Sequence, residues 1–291
     1  MASVLIRLQS LFCRCRMDSQ RVFVVTGSQK GIGYGIVKTL ATTLPNAIVY
    51  MTDTHECLLK QSLHKLKTES GKSIKAEVRT HQLDITMIGS VTKFADHLQA
   101  EHGGFDVLIN NAGVRFNSSV SESLYEAKVT VATNYEGTKL VSQTLLPLMR
   151  NYGRVVNLAS RSGAIHGYNP DMKAKLTDEA LTVADVDAYV QDFLTAYEEN
   201  NCSSKGYPRS SYAVTKTACI LLARIWAREL ASRKIVVNAC CPGYVETDMS
   251  RGMKSPLTIE QGADTPVYLA TLEGDEPNGK FVYLRKVTPW Y

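Results

Sequence analysis

From Arg21 onward, short apolar runs alternate with stretches whose apolar residues recur at helical spacing, and this alternation limits the fold more than any other feature. Arg21-Val-Phe-Val-Val25 is β-branched and apolar at successive positions, as a strand buried on both faces must be. Ile32, Ile36, Val37, Leu40 and Leu44 then repeat with a helical period. The same reading predicts strands at 47–52, at a run closing with 81–84, and at 105–110, 154–160, 234–240 and 281–284. Helices are predicted at 56–69, 87–102, 121–150 and 212–230. Strand–helix repetition at this spacing requires right-handed βαβ units. The expected fold class is α/β: one doubly wound parallel sheet of about seven strands with helices on both faces. No repeat or linker marks a second domain, so residues 21–291 are expected to fold as one.

Composition narrows the function. With 44% hydrophobic and 21% charged residues the chain is neither disordered nor fibrous. No apolar run reaches the ~18 residues of a membrane-spanning helix. The net charge is +5, and three positives, Arg7, Arg14 and Arg16, fall in an acid-free stretch of sixteen residues. The remainder is too weakly basic for a nucleic-acid partner. Seven cysteines, an odd number, argue against a disulfide framework, none has zinc spacing, so no metal is expected, and a reducing, cytoplasmic compartment fits. Residues 1–20 read as an extension outside the fold, either disordered or upstream of a start at Met17. A mitochondrial presequence over 1–16 is the other reading.

Between the first strand and first helix lies Thr26-Gly-Ser-Gln-Lys-Gly-Ile-Gly33. Gly27, Gly31 and Gly33 permit a tight turn and bring backbone N–H groups, that of Ile32 included, toward a diphosphate at the helix N-terminus. No Gly-Lys-Ser/Thr follows, so it is not a Walker loop. Asp53, twenty residues after Gly33, stands where a carboxylate reads ribose hydroxyls. Tyr212 and Lys216 are four apart on one helix face. A free phenol titrates near 10 and exchanges its proton poorly at neutral pH until a neighbouring cation favours its anion. Ser160 ends a strand at the carboxyl edge of the sheet, where such folds bind ligands.

Taken in order, Thr-Gly-x-x-x-Gly-x-Gly at 26–33, Asn110-Asn-Ala-Gly113, Asn134, Ser160, Tyr212-x-x-x-Lys216 and Pro242-Gly243 resemble the short-chain dehydrogenase/reductase family from about Arg21 to the C-terminus. The resemblance implies a Rossmann-like domain and a catalytic tetrad of Asn134, Ser160, Tyr212 and Lys216. Tyr212 would give or take the carbonyl proton, Ser160 hold the carbonyl oxygen, Lys216 assist Tyr212 and grip the nicotinamide ribose, and Asn134 support a relay water. Asp84 would contact adenine, the backbone of Asn110 the adenine ribose, and Thr247 the carboxamide. Ala112, Gly113, Pro242 and Gly243 complete the implied cofactor contacts.

The 51 residues between Ser160 and Tyr212 exceed the usual family spacing. Within this insertion, about 163–205, Thr182 is a predicted N-cap with Asp185 in the first turn. Val186, Val190, Phe193, Leu194 and Tyr197 then share a face. Such an insertion resembles the carbonyl reductase subgroup, where the extra helix covers the surface that relatives use to oligomerise; it implies a monomer. Tyr244 stands where that subgroup has Trp, and Arg161-Ser162 replaces apolar residues beside Ser160. With Ser160 and Tyr212, Arg161 and Tyr244 are the expected substrate contacts. Cys241, near that pocket, reads as a packing residue or a reactive thiol. The implied activity is hydride transfer to ketones, aldehydes or quinones. Oxidation of an alcohol with NAD, or a silent cofactor-binding scaffold, are the alternatives. The subgroup carries Arg at position 53 and prefers NADPH. Lys30 is in place for a 2′-phosphate, so the expected cofactor is NADP(H), with NAD(H) the alternative that Asp53 favours.

Overall fold

The computed structural model describes residues 20–116, 122–250 and 257–291. The extension expected over 1–20 lies outside the described residues apart from Gln20, as does the start of the helix expected at 121. Seven parallel strands and one antiparallel strand form a single sheet in the order β3-β2-β1-β4-β5-β6-β7-β8. They are β1 (Arg21–Val25), β2 (Ala47–Asp53), β3 (Glu77–Gln82), β4 (Phe105–Asn110), β5 (Met149–Leu158), β6 (Val236–Cys241), β7 (Phe281–Tyr283) and β8 (Lys286–Val287). The helices are α1 (Gly31–Thr43), α2 (Glu56–Ser70), α3 (Ile88–His102), α4 (Leu124–Val131), α5 (Thr138–Leu145), α6 (Pro170–Thr177), α7 (Val183–Glu198), α8 (Ser211–Glu229) and α9 (Ile259–Ala270).

The double winding follows from alternation within β1. Val22 and Val24 face a core shared with α3, α4, α5, α7 and α8, while Phe23 and Val25 face a second core under α1, α2 and α9. The chain walks from β1 out to β3 and returns to β4 on the other side of β1. Loops diverge there at the carboxyl ends of the strands, leaving the crevice in which such sheets bind ligands.

The structure departs from the sequence reading in five places. β8 is an eighth strand, reached through Leu284 and Arg285 with φ of +48° and +58°. Neither residue is the Gly or Asn that such a turn favours, so nothing announced it. β3 ends at Gln82 instead of 84, because the Asp84 carboxylate folds back onto the backbone N–H and hydroxyl of Thr86 at 2.9 and 2.7 Å. β5 runs from Met149 to Leu158, not 154 to 160. Its polar start was unreadable because the register shifts opposite Phe105 and Val107. The expected 121–150 helix is broken: α4 and α5 flank a π-helical turn, Ala132–Gly137, and a 3₁₀ turn carrying Pro147 leads into β5. The insertion holds two helices; α6 was missed although Asn169 caps it and Pro170 opens it, a readable start signal.

α7 begins as expected, with a capping box between Thr182 and Asp185. Its buried face is Val186, Tyr189, Val190, Phe193, Ala196 and Tyr197; Tyr189 lies inside, and Leu194 sits on the flank, only partly buried. The helix packs on α8 and α4.

Candidate active site

The turn after β1 is built by close approach. A Cβ on Gly27 would lie 2.7 Å from the Ala112 Cα, and one on Gly33 would lie 2.5 Å from both Asn111 Nδ2 and the Gly27 carbonyl. Gly27 and Gly31 also have φ near +60°, a conformation that glycine adopts without strain. Asn111 fixes the turn, its Nδ2 donating to the Thr26 and Gly27 carbonyls at 2.9 and 2.7 Å. Thr26 Oγ1 accepts from the N–H groups of Asn111 and Ala112. α1 then starts at Gly31 with no side-chain cap, so its first-turn N–H groups keep their capacity for an anion. The turn therefore fits the diphosphate of a dinucleotide. Thr247 lies across from it, its Cγ2 3.5 Å from where a Gly31 Cβ would stand.

The four residues of the implied tetrad come from three elements at the same sheet edge. Lys216, buried in α8, donates from Nζ to the Leu158 carbonyl at 2.7 Å. The same ammonium lies 5.6 Å from the centre of the Tyr212 ring. A Cβ on Gly163 would lie 2.5 Å from the Lys216 carbonyl carbon, so the loop carrying Ser160 rests directly on α8. Ser160 Oγ accepts from the Ser162 N–H at 3.1 Å, leaving its own proton to donate. Among the described residues the Tyr212 hydroxyl has no hydrogen-bond partner.

Asn134 sits in the π-helical turn, 1% exposed. Its carboxamide pairs with Val114 on both sides, Oδ1 accepting from the Val114 N–H at 2.7 Å and Nδ2 donating to the Val114 carbonyl at 2.9 Å, and Nδ2 also reaches the Thr215 hydroxyl at 3.4 Å. The side chain thereby bolts the loop after β4 to the helix. Gly113 is drawn in with it, a Cβ there lying 3.0 Å from Asn134 Oδ1 and 3.7 Å from Lys216 Nζ.

The side chains around this centre are committed in different ways. The Asn110 side chain points into the core, donating to Ser142 Oγ and Asn157 Oδ1, each at 2.9 Å. Its neighbour Asn111 supplies the side chain that shapes the turn after β1. Asp53 Oδ1 accepts from the Thr54 N–H at 2.8 Å and the Thr54 hydroxyl at 3.2 Å, both exposed bonds to its chain neighbour. Lys30 is ion-paired with Asp248 at 2.9 Å, with both side chains more than half exposed. A pair so exposed is worth about 1 kcal/mol or less, so a phosphate can take Lys30 from it. Cys241 is buried, its Sγ accepting from the Gly243 N–H, and serves as packing. The Tyr244 ring is exposed at the site edge.

Glu122 escaped the sequence reading. Its carboxylate accepts from the Ser211 N–H at 3.0 Å and from the Ser211 hydroxyl, holding the first residue of α8 beside Tyr212. Its carbonyl accepts from the Tyr197 hydroxyl of α7. A carboxylate is favoured at a helix N-terminus, but no local spacing links residues 89 apart.

A short chain dehydrogenase family model matches residues 21–170, and an enoyl-(acyl carrier protein) reductase model matches 194–272. The chain belongs to the short chain dehydrogenase family. Carbonyl reductase (NADPH) 1 of Rattus norvegicus is 38% identical over 284 residues, 94% of this chain and 100% of the relative. The Homo sapiens protein of that name is 37% identical over 278 residues, 92% and 98% of the two chains. Salutaridine reductase from Papaver somniferum superposes with a TM-score of 0.79 at 30% identity, over 90% of this chain and 99% of that one. Menthone neomenthol reductase from Mentha piperita gives 0.77 at 26% identity, over 91% and 98%. Among the described residues no helix of this family member is long and apolar enough to cross a membrane, and no His, Cys, Asp and Glu cluster could hold a metal.

Proposed function

We propose that the chain is an NADPH-dependent carbonyl reductase acting on ketones, aldehydes or quinones, with Tyr212 as general acid. One observation carries the reading: an unpartnered phenol stands beside a buried ammonium, with an undonated Ser160 proton on the adjoining loop. Tyr212 delivers the proton to the carbonyl oxygen. Ser160 donates a hydrogen bond to that oxygen as charge gathers on it. Lys216, anchored at Leu158, holds positive charge against the phenol and keeps further N–H donors for a ribose. Asn134 positions the Gly113 loop. A bound nicotinamide cofactor supplies the hydride. Gly27, Gly31, Ile32 and Gly33 would hold its diphosphate; Asp84, Ala112, Gly113, Pro242, Gly243 and Thr247 would flank the rest.

Choosing between NADPH and NADH sets Lys30 against Asp53. A unit charge about 4 Å away is worth up to ~4 kcal/mol near a protein surface, so the two oppose each other at similar strength. The names of the relatives and the weak hold of Asp248 on Lys30 favour NADPH. Asp53, whose carboxylate can accept both ribose hydroxyls, favours the alternative of an NAD-dependent alcohol dehydrogenase. A cytoplasmic monomer completes the proposal, supported by free cysteines and by α7 lying over α4 and α8. A panel of carbonyl compounds, followed at the nicotinamide absorbance with both cofactors, tests it. A tenfold preference for NADH in kcat/KM overturns the cofactor assignment, and no turnover with any carbonyl overturns the activity.

A further inference from the structure

Two arginines at the mouth of the site meet no carboxylate among the described residues. Arg115 follows Gly113 by two residues in the loop after β4, and its guanidinium carbon lies 5.3 Å from the centre of the Tyr212 ring. Arg161 directly follows Ser160 in the loop after β5, and its guanidinium carbon lies 4.8 Å from the centre of the Tyr283 ring. β4 and β5 are neighbours in the sheet, so the two loops emerge side by side at the carboxyl edge. Both arginines are exposed, and among the described residues neither is ion-paired. Residues 117–121 and 251–256, next along the chain from this edge, contain no Asp or Glu. Elsewhere Lys30, Arg79, Arg150 and Arg285 each meet a carboxylate.

An arginine lying on an aromatic face keeps its N–H edge for a partner in its own plane. That fork matches the two oxygens of a carboxylate. One guanidinium stacks on the proton donor itself, and the other is one residue from the hydroxyl expected to hold the carbonyl oxygen. We infer, on the reading that this site reduces carbonyls, that its substrates are carbonyl compounds bearing a carboxylate or similar anionic group, which Arg115 and Arg161 bind beside the reacting carbon. The two cations also draw anions toward the cleft through solvent, an effect that salt weakens.

Matched pairs test this: 4-formylbenzoate against its methyl ester, and phenylglyoxylate against its methyl ester, with the intact protein. The acid of at least one pair is expected to exceed its ester by roughly tenfold or more in kcat/KM, the low end for a charge-assisted contact. That ratio should fall toward one in Arg115→Met/Arg161→Met, and in the unmodified protein as NaCl rises from ~20 mM to ~500 mM. Esters equal to or better than both acids, or a preference that survives the double substitution and salt, overturn the inference. Calorimetric binding of benzoate against benzamide separates this from the activity itself. If neither acid nor ester turns over, tighter benzoate binding that vanishes in the double variant still supports the anion site, and equal binding of the two rejects it.

Discussion

Helices α1 and α7 begin in opposite ways. α7 starts from a closed capping box, with Thr182 and Asp185 each satisfying the other's backbone N–H. α1 starts from glycine and Lys30, and no side chain caps its first turn. The tyrosines divide along the same line. In and under the insertion, the Tyr168 and Tyr189 hydroxyls meet at 2.7 Å, Tyr207 donates to Asp192 at 2.9 Å, and Tyr135 donates to Asp187 at 2.6 Å. At the catalytic edge the Tyr212 hydroxyl and the Ser160 proton lack such partners. The insertion spends its polar groups on itself and on the body beneath it, while the site keeps them for a ligand. α2 and α3 also start without a side-chain cap, so it is the unspent hydroxyls at the sheet edge, together with the glycine turn, that mark the part of the molecule shaped for binding.

That division can be broken most sharply by Tyr212→Phe. Turnover should fall by roughly 10²–10⁴ while the melting temperature holds, because the lost hydroxyl bonds none of the described residues. Near-normal turnover would remove Tyr212 from the mechanism. Phe193→Ala is the converse. The ring is fully buried between Tyr197 and Tyr207, at centroid distances of 5.6 and 5.7 Å, so denaturant unfolding should show a loss of about 3–5 kcal/mol. The fraction that stays folded should keep kcat within about twofold. A large fall in kcat would show that the insertion serves catalysis as well as structure.

Alkaline titration sharpens the comparison between the tyrosines. Burial first, then the Asp187 carboxylate, pushes the Tyr135 hydroxyl far above its usual range; burial followed by Asp192 does the same for Tyr207. Since folding raises these values, the unfolded chain loses its protons first. The stabilisation is complete below pH ~10 and fades as pH rises beyond it. Thermal melts between pH ~9 and ~11 should therefore decline, and Tyr135→Phe should flatten the slope. An unchanged slope would mean that other groups dominate. The smallest effect belongs to Thr182→Ala, which opens the α7 capping box and should cost about 1 kcal/mol without touching kcat/KM.

The rhythm of strands and helices, the glycine turn and the Tyr212–Lys216 pair were legible in the sequence, because each depends on neighbours close along the chain. Alternation at two residues, recurrence near 3.6 and a side-chain pair four apart are all local geometry. So was the start of α7, where Thr182 and Asp185 are three residues apart. What tertiary structure alone decided lies across long separations. The π-helical turn at Ala132–Gly137 sits inside a run whose apolar spacing reads as one helix, and it lies where Gly137 presses against Ile85 and Asn134 grips Val114. The choice of Asn111 over its twin Asn110 depends on which face of the β4 end meets the turn after β1. Glu122 reaches Ser211 only once the sheet has brought two distant helices together, and Arg115 reaches Tyr212 by the same approach. Local spacing determines which elements form. The meeting of loops at one sheet edge decides which of their polar groups are spent and which are left for a ligand.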